Sequence, residues 1–149
     1  MVEYSSQLHE GCFPFLHKAE ASALFSAMEL AEIKAGTTLY TANDSADCLY
    51  VLVSGRIAVQ KQTGFADRMQ VVALLDPGAP LGESGMLDGQ SRGATLTAVA
   101  DSRLLVLSRQ AFAEITSSTP ALAVKVLTWV LGRIALRLQK SSERLAHVL

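Results

Sequence analysis

The sequence has few of the residues that build metal centres, disulfide frameworks or nucleophilic active sites. It contains two cysteines and three histidines among 149 residues. Cys12 and Cys48 stand apart, without the C-x-x-C spacing of a zinc or redox site, and we expect both to be reduced thiols. His9, His17 and His147 lie outside the predicted strands, so the pattern supports neither a Ser-His-Asp nor a Cys-His catalytic constellation.

An excess of charge of either sign is also absent. Lysines and arginines number 13 and acidic residues 14, and the net charge of −1 argues against general attraction to nucleic acids or anionic membranes. The longest apolar stretch, residues 121–138, is interrupted by Lys125, Arg133 and Arg137 and does not qualify as a membrane span. Residues 1–7 lack the basic and apolar regions of a signal peptide. We therefore expect a cytoplasmic protein.

Apolar residues are abundant instead. Half of the residues are hydrophobic, and the mean hydropathy of +0.28 is high for a chain of this size. Some apolar surface is therefore expected to be buried against a partner. A chain of this length buries roughly two thirds of its unfolded surface, enough for one core. We expect residues 1–149 to form a single domain.

The pattern along the chain predicts strands flanked by helices. Residues 18–28 carry Ala and Leu at helical spacing. Between about 30 and 107, short runs of Val, Leu, Ile and Thr alternate with turn residues, which is typical of an antiparallel sandwich or barrel. Ser108 is predicted to cap a helix through about Thr116, and Pro120 to open a long one, so that C-terminal helices occupy about 108–146. The predicted fold class is mainly β with flanking helices.

The last predicted helix carries two apolar stripes. One has spacings of three and four, typical of a coiled-coil-like contact, and we call it the α-seam: Val124, Leu127, Leu131, Ile134, Leu138, Ser141, Leu145 and Val148. The other faces elsewhere and comprises Leu122, Val126, Trp129 and Leu136. We predict that one stripe packs on the barrel and the α-seam on a second copy of the chain, forming a homodimer. The alternative is a helix wrapped entirely within its own domain. Its basic side chains are interpreted as a solvated face.

Residues 81–94, LGESGMLDGQSRGA, are the most informative segment. Glycines at 82, 85 and 89 let the backbone approach a ligand closely, and a short helical turn starting near Glu83 would aim free N–H groups at an anion. Arg92, nine residues after Glu83, offers a bidentate fork for phosphate oxygens, while Glu83 can accept hydrogen bonds from vicinal hydroxyls. This chemistry suits the capture of a small anionic sugar phosphate.

The segment follows two strands joined by a Ser-Gly turn at 47–59 and a further turn at 74–78. In this order the segments resemble the cyclic nucleotide-binding domain of the catabolite activator protein and protein kinase A regulatory subunit families, over about residues 24–145. The resemblance makes 82–94 the family's phosphate-binding cassette. It implies an antiparallel β-roll or jelly-roll barrel, a double-stranded β-helix, that binds cyclic AMP or cyclic GMP without a cofactor or metal and signals through movement of its C-terminal helices.

The resemblance also assigns the site. It implies that Arg92 and the cassette backbone contact the phosphate and that Glu83 holds the ribose 2′-hydroxyl. The sequence RLQKSSER at 137–144 looks like the family's dimer helix, whose hydroxyl pair reaches the adenine; for Ser141, the alternative is a role in setting helix register. The predicted ligand-binding residues are Gly82, Glu83, Ser84, Gly85, Arg92, Gly93, Ala94, Ser141 and Ser142. Replacing Arg92 by alanine is expected to abolish binding and to leave the fold intact.

Several positions depart from the family pattern. Gly93 stands where the family often has Ser, Thr or Ala, so a side-chain hydroxyl bond to the phosphate is lost. A Thr there favours cyclic GMP in related domains, so its absence favours cyclic AMP. Ser84 replaces an aliphatic residue, and Asn43 stands where a turn glycine is usual. Asn tolerates the left-handed backbone conformation that such a turn requires.

Three functional hypotheses remain at the level of sequence. The favoured one is a cyclic nucleotide sensor, and the second is a degenerate copy of the fold kept as a ligand-free dimerisation module. The third, a cupin-type enzyme, needs clustered His and carboxylate metal ligands, which the predicted strands do not supply. The sequence contains no helix-turn-helix after the last predicted helix. We therefore expect no direct DNA binding, and an output through a partner protein or through a domain outside this sequence.

Overall fold

Two four-stranded antiparallel sheets form the centre of the computed structural model, which describes residues 1–64 and 68–148. One sheet has the order β1-β8-β3-β6 and the other β2-β7-β4-β5. The strands are β1 Glu29–Ile33, β2 Thr38–Tyr40, β3 Cys48–Ser54, β4 Ile57–Gln62, β5 Met69–Leu75, β6 Pro80–Leu81, β7 Thr95–Ala98 and β8 Ser102–Ser108. The arrangement confirms the predicted antiparallel β-roll.

Helices flank the sheets at both ends of the chain. They are α1 Ser6–Cys12, α2 Lys18–Ser26, α3 Arg109–Ser118 and α4 Pro120–Val148, and a short 3₁₀ helix spans Glu83–Met86, here called the cassette helix. The Ser108 hydroxyl accepts a hydrogen bond from the Ala111 N–H at 3.0 Å, which confirms the predicted cap of α3. Sequence reasoning did not identify α1, and the predicted first helix ends at Ser26, before residue 28.

The two central strands of the first sheet are buried on both faces. Toward the second sheet, β3 and β8 contribute Leu52 and Leu104 to a core between the sheets. Toward the helices, Leu49 and Leu105 join a second core. A strand covered on both faces has no solvent-facing side, so its sequence does not alternate apolar and polar residues. This explains the nearly continuous apolar sequences of β3 and β8.

Helix α4 is buried only along its first half. Leu122 and Val126 are almost completely buried in the helical core, as the second stripe predicts. Leu136 was assigned to the same stripe, and that prediction is wrong, because its side chain is 46% exposed. The α-seam is mostly open to solvent, with Val124 61% and Leu138 66% exposed. The alternative of a helix wrapped within its own domain is therefore wrong.

Cys12 and Cys48 are both buried free thiols, and burial raises the pKa of Cys12 to about 11. Within residues 1–64 and 68–148, no group of three or more His, Cys, Asp or Glu side chains is placed to hold a metal ion. No helix in this part of the chain is long and apolar enough to cross a membrane.

Candidate functional site

A cavity of about 550 Å³ lies between the second sheet, the cassette helix and α4. The sheet contributes alternate residues, since Val59 and Lys61 point to the same side of β4. The helix contributes positions three and four apart on one face. Among the residues that the structure describes, the lining comprises Tyr40, Val59, Lys61, Leu75, Leu81, Gly82, Glu83, Ser84, Met86, Leu87, Gly93, Ala94, Leu96, Leu127, Val130, Leu131, Ile134 and Arg137. A mostly apolar wall with a few polar groups is typical of a small-molecule site.

The cassette backbone is shaped by two glycines. Gly82 has φ +65°, and a Cβ there would lie 2.4 Å from Arg92 Nη1, so a side chain is excluded by conformation and by space. At Gly85 a Cβ would lie 2.0 Å from the carbonyl oxygen of Cys48. Gly85 is therefore a buried residue of the cassette helix, packed against the start of β3, and it does not line the cavity.

The cassette presents free backbone donors to the cavity. Among the described residues, the N–H groups of Glu83, Ser84, Gly93 and Ala94 make no bond to another backbone group. The N–H of Gly85 was predicted to contact phosphate as well, but it donates to the Gly82 carbonyl at 3.0 Å in the 3₁₀ turn. Free N–H groups that face a cavity favour an anionic ligand. The cassette therefore offers fewer donors than the sequence predicts, and Gly85 has a packing role.

Arg92 is engaged by the protein itself. Its side chain is buried, and its guanidinium donates to the carbonyl oxygen of Gly82 at 2.8 Å and to that of Cys48 at 2.9 Å. A third contact joins Nη2 to the Cys48 Sγ at 3.4 Å. The rings of Tyr40 and Tyr50 lie 4.3 and 5.6 Å from the guanidinium carbon, within cation–π range. Arg92 therefore does not line the cavity directly but lies behind the Gly82 wall.

The two tyrosines beside Arg92 were not predicted as site residues. Burial raises the pKa of Tyr40 to about 12, against the opposing effect of the nearby guanidinium. Burial also raises the pKa of Tyr50. Both phenols are therefore neutral at physiological pH, and their rings provide an apolar, electron-rich setting for the cation.

Glu83 meets an arginine that sequence reasoning assigned to a solvated face. Arg137 Nη1 lies 3.5 Å from Glu83 Oε2, and both side chains are about one-third exposed. Arg137 also donates to the carbonyl oxygen of Pro80. The ion pair joins the middle of α4 to the cassette across 54 residues of sequence. In the sequence, this ion pair was indicated only by the position of Arg137 at the start of the RLQKSSER segment.

The structure brings five of the predicted residues to the cavity: Gly82, Glu83, Ser84, Gly93 and Ala94. Ser141 lies one helical turn beyond Arg137 on the same face of α4, and Ser142 follows it. Both serines are exposed and neither lines the cavity of its own chain. Their predicted contact with a base therefore requires either a second copy of the chain or a change in the position of α4.

Comparison with known proteins identifies the family. A family model described as "Cyclic nucleotide-binding domain" matches residues 30–119. A crystal structure of a cyclic nucleotide-binding domain from Methylobacillus flagellatus superposes with a TM-score of 0.84 and 28% identity, covering 90% of this chain and 75% of that one. The chain belongs to the cyclic nucleotide-binding domain family. This finding confirms the predicted resemblance.

Other similar proteins are larger than this chain. The regulatory domain of Toxoplasma gondii protein kinase A, crystallised with cyclic AMP, has a TM-score of 0.66 and 29% identity, covering 76% of this chain and 46% of that one. The lysophospholipase nte1 of Aspergillus terreus is 27% identical over 108 residues, which are 72% of this chain but 7% of that protein. The shared part is the domain alone.

Proposed function

We propose that the chain binds a cyclic nucleotide, with cyclic AMP preferred to cyclic GMP, in the cavity between the cassette and α4. The proposal rests on one observation, which is that two different surfaces, one from the cassette and one from α4, line the same cavity. The cassette offers free N–H groups and the Glu83 carboxylate, while α4 offers the apolar side chains of Leu127 and Leu131. A phosphate and ribose suit the first surface, and a purine base suits the second.

Each part of the ligand has a proposed place. The phosphate binds to the N–H groups of Glu83, Ser84, Gly93 and Ala94, and the ribose 2′-hydroxyl donates to Glu83. Arg92 supports the phosphate from behind Gly82. A guanidinium has five N–H donors, so Arg92 can turn one toward a phosphate oxygen when the cassette rearranges.

Ligand binding and the position of α4 are proposed to be coupled through Glu83. Glu83 pairs with Arg137 of α4 at 3.5 Å. A ribose hydroxyl that takes up the same carboxylate competes with that pair and changes what holds α4 to the cassette. The ligand can drive such a change only as far as its affinities for the two helix positions differ.

The same helix is proposed to form a parallel homodimer. Its α-seam leaves several large apolar side chains exposed, Leu131 and Leu138 at 66% each and Leu145 at 58%. Such a row along one helix face is suited to pairing with an identical row. In the dimer, Ser141 and Ser142 of the partner can approach the base, which accounts for their position outside the cavity of their own chain.

The second candidate is a ligand-free dimerisation module. Two observations favour it: Arg92 is already bonded to protein carbonyl oxygens, and Gly93 has no hydroxyl to offer. The two candidates predict opposite results from a binding experiment.

Mass spectrometry of nucleotide released from the purified protein, followed by titration calorimetry with cyclic AMP and cyclic GMP, tests the proposal. We expect binding of both, with a modest preference for cyclic AMP. Glu83→Gln is expected to weaken binding, because an amide is a poorer acceptor than a carboxylate. Glu32→Gln, on the exposed surface of β1, is the matched control. Absence of released nucleotide and of any binding heat would support the ligand-free module instead.

A further inference from the structure

Lys61 is a charged lining residue that the phosphate cassette does not include. Three described lining residues are charged: Lys61, Glu83 and Arg137. Glu83 and Arg137 pair with each other, whereas no described residue is a hydrogen-bond or ion-pair partner of the Lys61 ammonium group. Because the paired charges cancel, the cavity has a net positive charge that belongs to Lys61. A cavity with one uncompensated cation attracts an anion.

The strand register places Lys61 beside the end of the cassette. In the β4–β7 ladder the final pair is Gln60 with Thr95. Lys61 is one residue further along β4, and Ala94 is one residue before β7, so continuation of the antiparallel register sets these two across from each other. Lys61 and Ala94 both line the cavity. The lysine therefore projects from the sheet near the backbone donors that the proposed phosphate uses.

The position that a Gly93 side chain would occupy is open. A Cβ at Gly93 would meet nothing within 4 Å. Gly93 is the position where related domains often have a hydroxyl residue. The chain therefore lacks one phosphate donor at this position, and the unpaired Lys61 cation lines the same cavity.

We propose that Lys61 contacts the phosphate of the ligand across Gly93 and takes the place of the missing hydroxyl donor. This inference rests on the proposed function. The phosphate is then the part of the ligand that Lys61 contacts, and Arg92 supports the cassette from behind the Gly82 wall. An ammonium group on a flexible stem serves as a point charge for phosphate and needs no fixed geometry.

Titration calorimetry of Lys61→Met with cyclic AMP tests the assignment. We expect binding to weaken by about 5- to 10-fold at low salt, in keeping with a partly exposed charge-assisted contact. The loss should shrink as salt is raised, because screening weakens an exposed charge pair. Lys61→Arg should stay within about 2-fold of wild type. Lys34→Met removes a surface lysine outside the cavity and controls for net charge.

A rescue variant makes the test specific to the phosphate. Gly93→Ser restores a hydroxyl at a position with room for it, and we expect it to recover part of the affinity lost in Lys61→Met. Equal urea midpoints for wild type and Lys61→Met establish that the exposed substitution leaves the fold unchanged.

The outcomes separate the two proposals. If wild type binds cyclic AMP and Lys61→Met binds it equally well at low salt, the Lys61 assignment is overturned and the proposed function stands. If wild type binds neither cyclic nucleotide, both are overturned. A loss in Lys34→Met as large as that in Lys61→Met would indicate an effect of net charge and would also overturn the assignment.

Discussion

Arg92 stabilises the fold at the same time as it supports the candidate site. The sequence suggested a residue that serves the ligand alone, so that its removal would leave the fold intact. The structure changes this expectation, because Arg92 is the hydrogen-bond donor to the carbonyl oxygens of Gly82 and Cys48. A buried carbonyl that loses its donor costs about 1–3 kcal/mol.

We expect Arg92→Ala to abolish ligand binding and to lower the free energy of unfolding by about 2–4 kcal/mol. Urea denaturation followed by circular dichroism measures the second effect. Arg56→Ala is the control, because Arg56 forms an exposed ion pair with Asp76 at 3.2 Å, and such pairs contribute about 0–1 kcal/mol. An Arg92→Ala protein as stable as wild type would mean that the guanidinium bonds do not stabilise the cassette.

The glycines of the cassette provide a second prediction for single residues. A Cβ at Gly85 would overlap the Cys48 backbone, whereas a Cβ at Gly93 has open space. We therefore expect Gly85→Ala to lower the free energy of unfolding by about 1–3 kcal/mol or more, through overpacking against backbone that cannot move aside. Gly93→Ala should change it by less than about 1 kcal/mol. Equal urea midpoints for the two variants would contradict the close packing of the cassette helix on β3.

At the scale of elements, arginines connect the cassette to both C-terminal helices. Arg137 joins it to α4 through Glu83. Arg109, the first residue of α3, donates to the carbonyl oxygens of Ala46 and Leu87 at 3.2 Å each and lies 3.6 Å from an Asp88 carboxylate oxygen. Within residues 1–64 and 68–148, Arg109 and Arg137 therefore each connect the cassette to one helix. A ligand that moved the cassette would act on both helices.

We expect Arg109→Met to leave the affinity for cyclic AMP within a few-fold of wild type, because Arg109 does not line the cavity. The ligand-induced change in hydrogen exchange along α3 and α4 should be smaller in this variant, since the link from Leu87 to α3 is lost. Hydrogen exchange with mass spectrometry measures that change, and Arg103→Met, an exposed position of β8, is the control. An undiminished response in Arg109→Met would place the coupling in apolar packing alone.

Elements set by neighbouring residues were predictable from the sequence, and contacts between distant elements were not. Ser108 as a cap, Pro120 as the start of α4 and the helical turn at Glu83 are local features. Asn43 has φ +77°, which confirms the expected left-handed turn. The pair between Glu83 and Arg137 depends on how α4 lies across the barrel, and no local pattern encodes that placement.

At the scale of the whole molecule, many large apolar side chains are exposed and are not covered by the protein's own helices and sheets. Besides the α-seam, the edge strand β5 exposes Met69, Val71, Val72 and Leu74 by 40–50%. Open edges and apolar rows favour association with another chain. The α-seam is the part of this surface on which the predicted homodimer rests.

We expect Leu138→Glu combined with Leu145→Glu to convert a dimer into a monomer in sedimentation velocity. Burial of each leucine side chain stabilises the dimer by roughly 1.5–3 kcal/mol, whereas a carboxylate at the same position opposes burial. Both lie outside the cavity lining, whereas Leu131 lines it and would confound the experiment. Leu30→Glu with Val99→Glu, exposed positions outside the helix, is the control. A monomeric wild type at micromolar concentration would contradict the prediction.

Leu127 and Leu131 belong both to the α-seam and to the wall of the cavity. In the proposed dimer the same side chains therefore meet a nucleotide on one side and a partner helix on the other. When two binding events use the same residues, each one changes the binding free energy of the other, and this coupling is equal in both directions. The nucleotide concentration at which such a protein responds then depends on how much of the protein is present, so its abundance would adjust its sensitivity without any change in sequence.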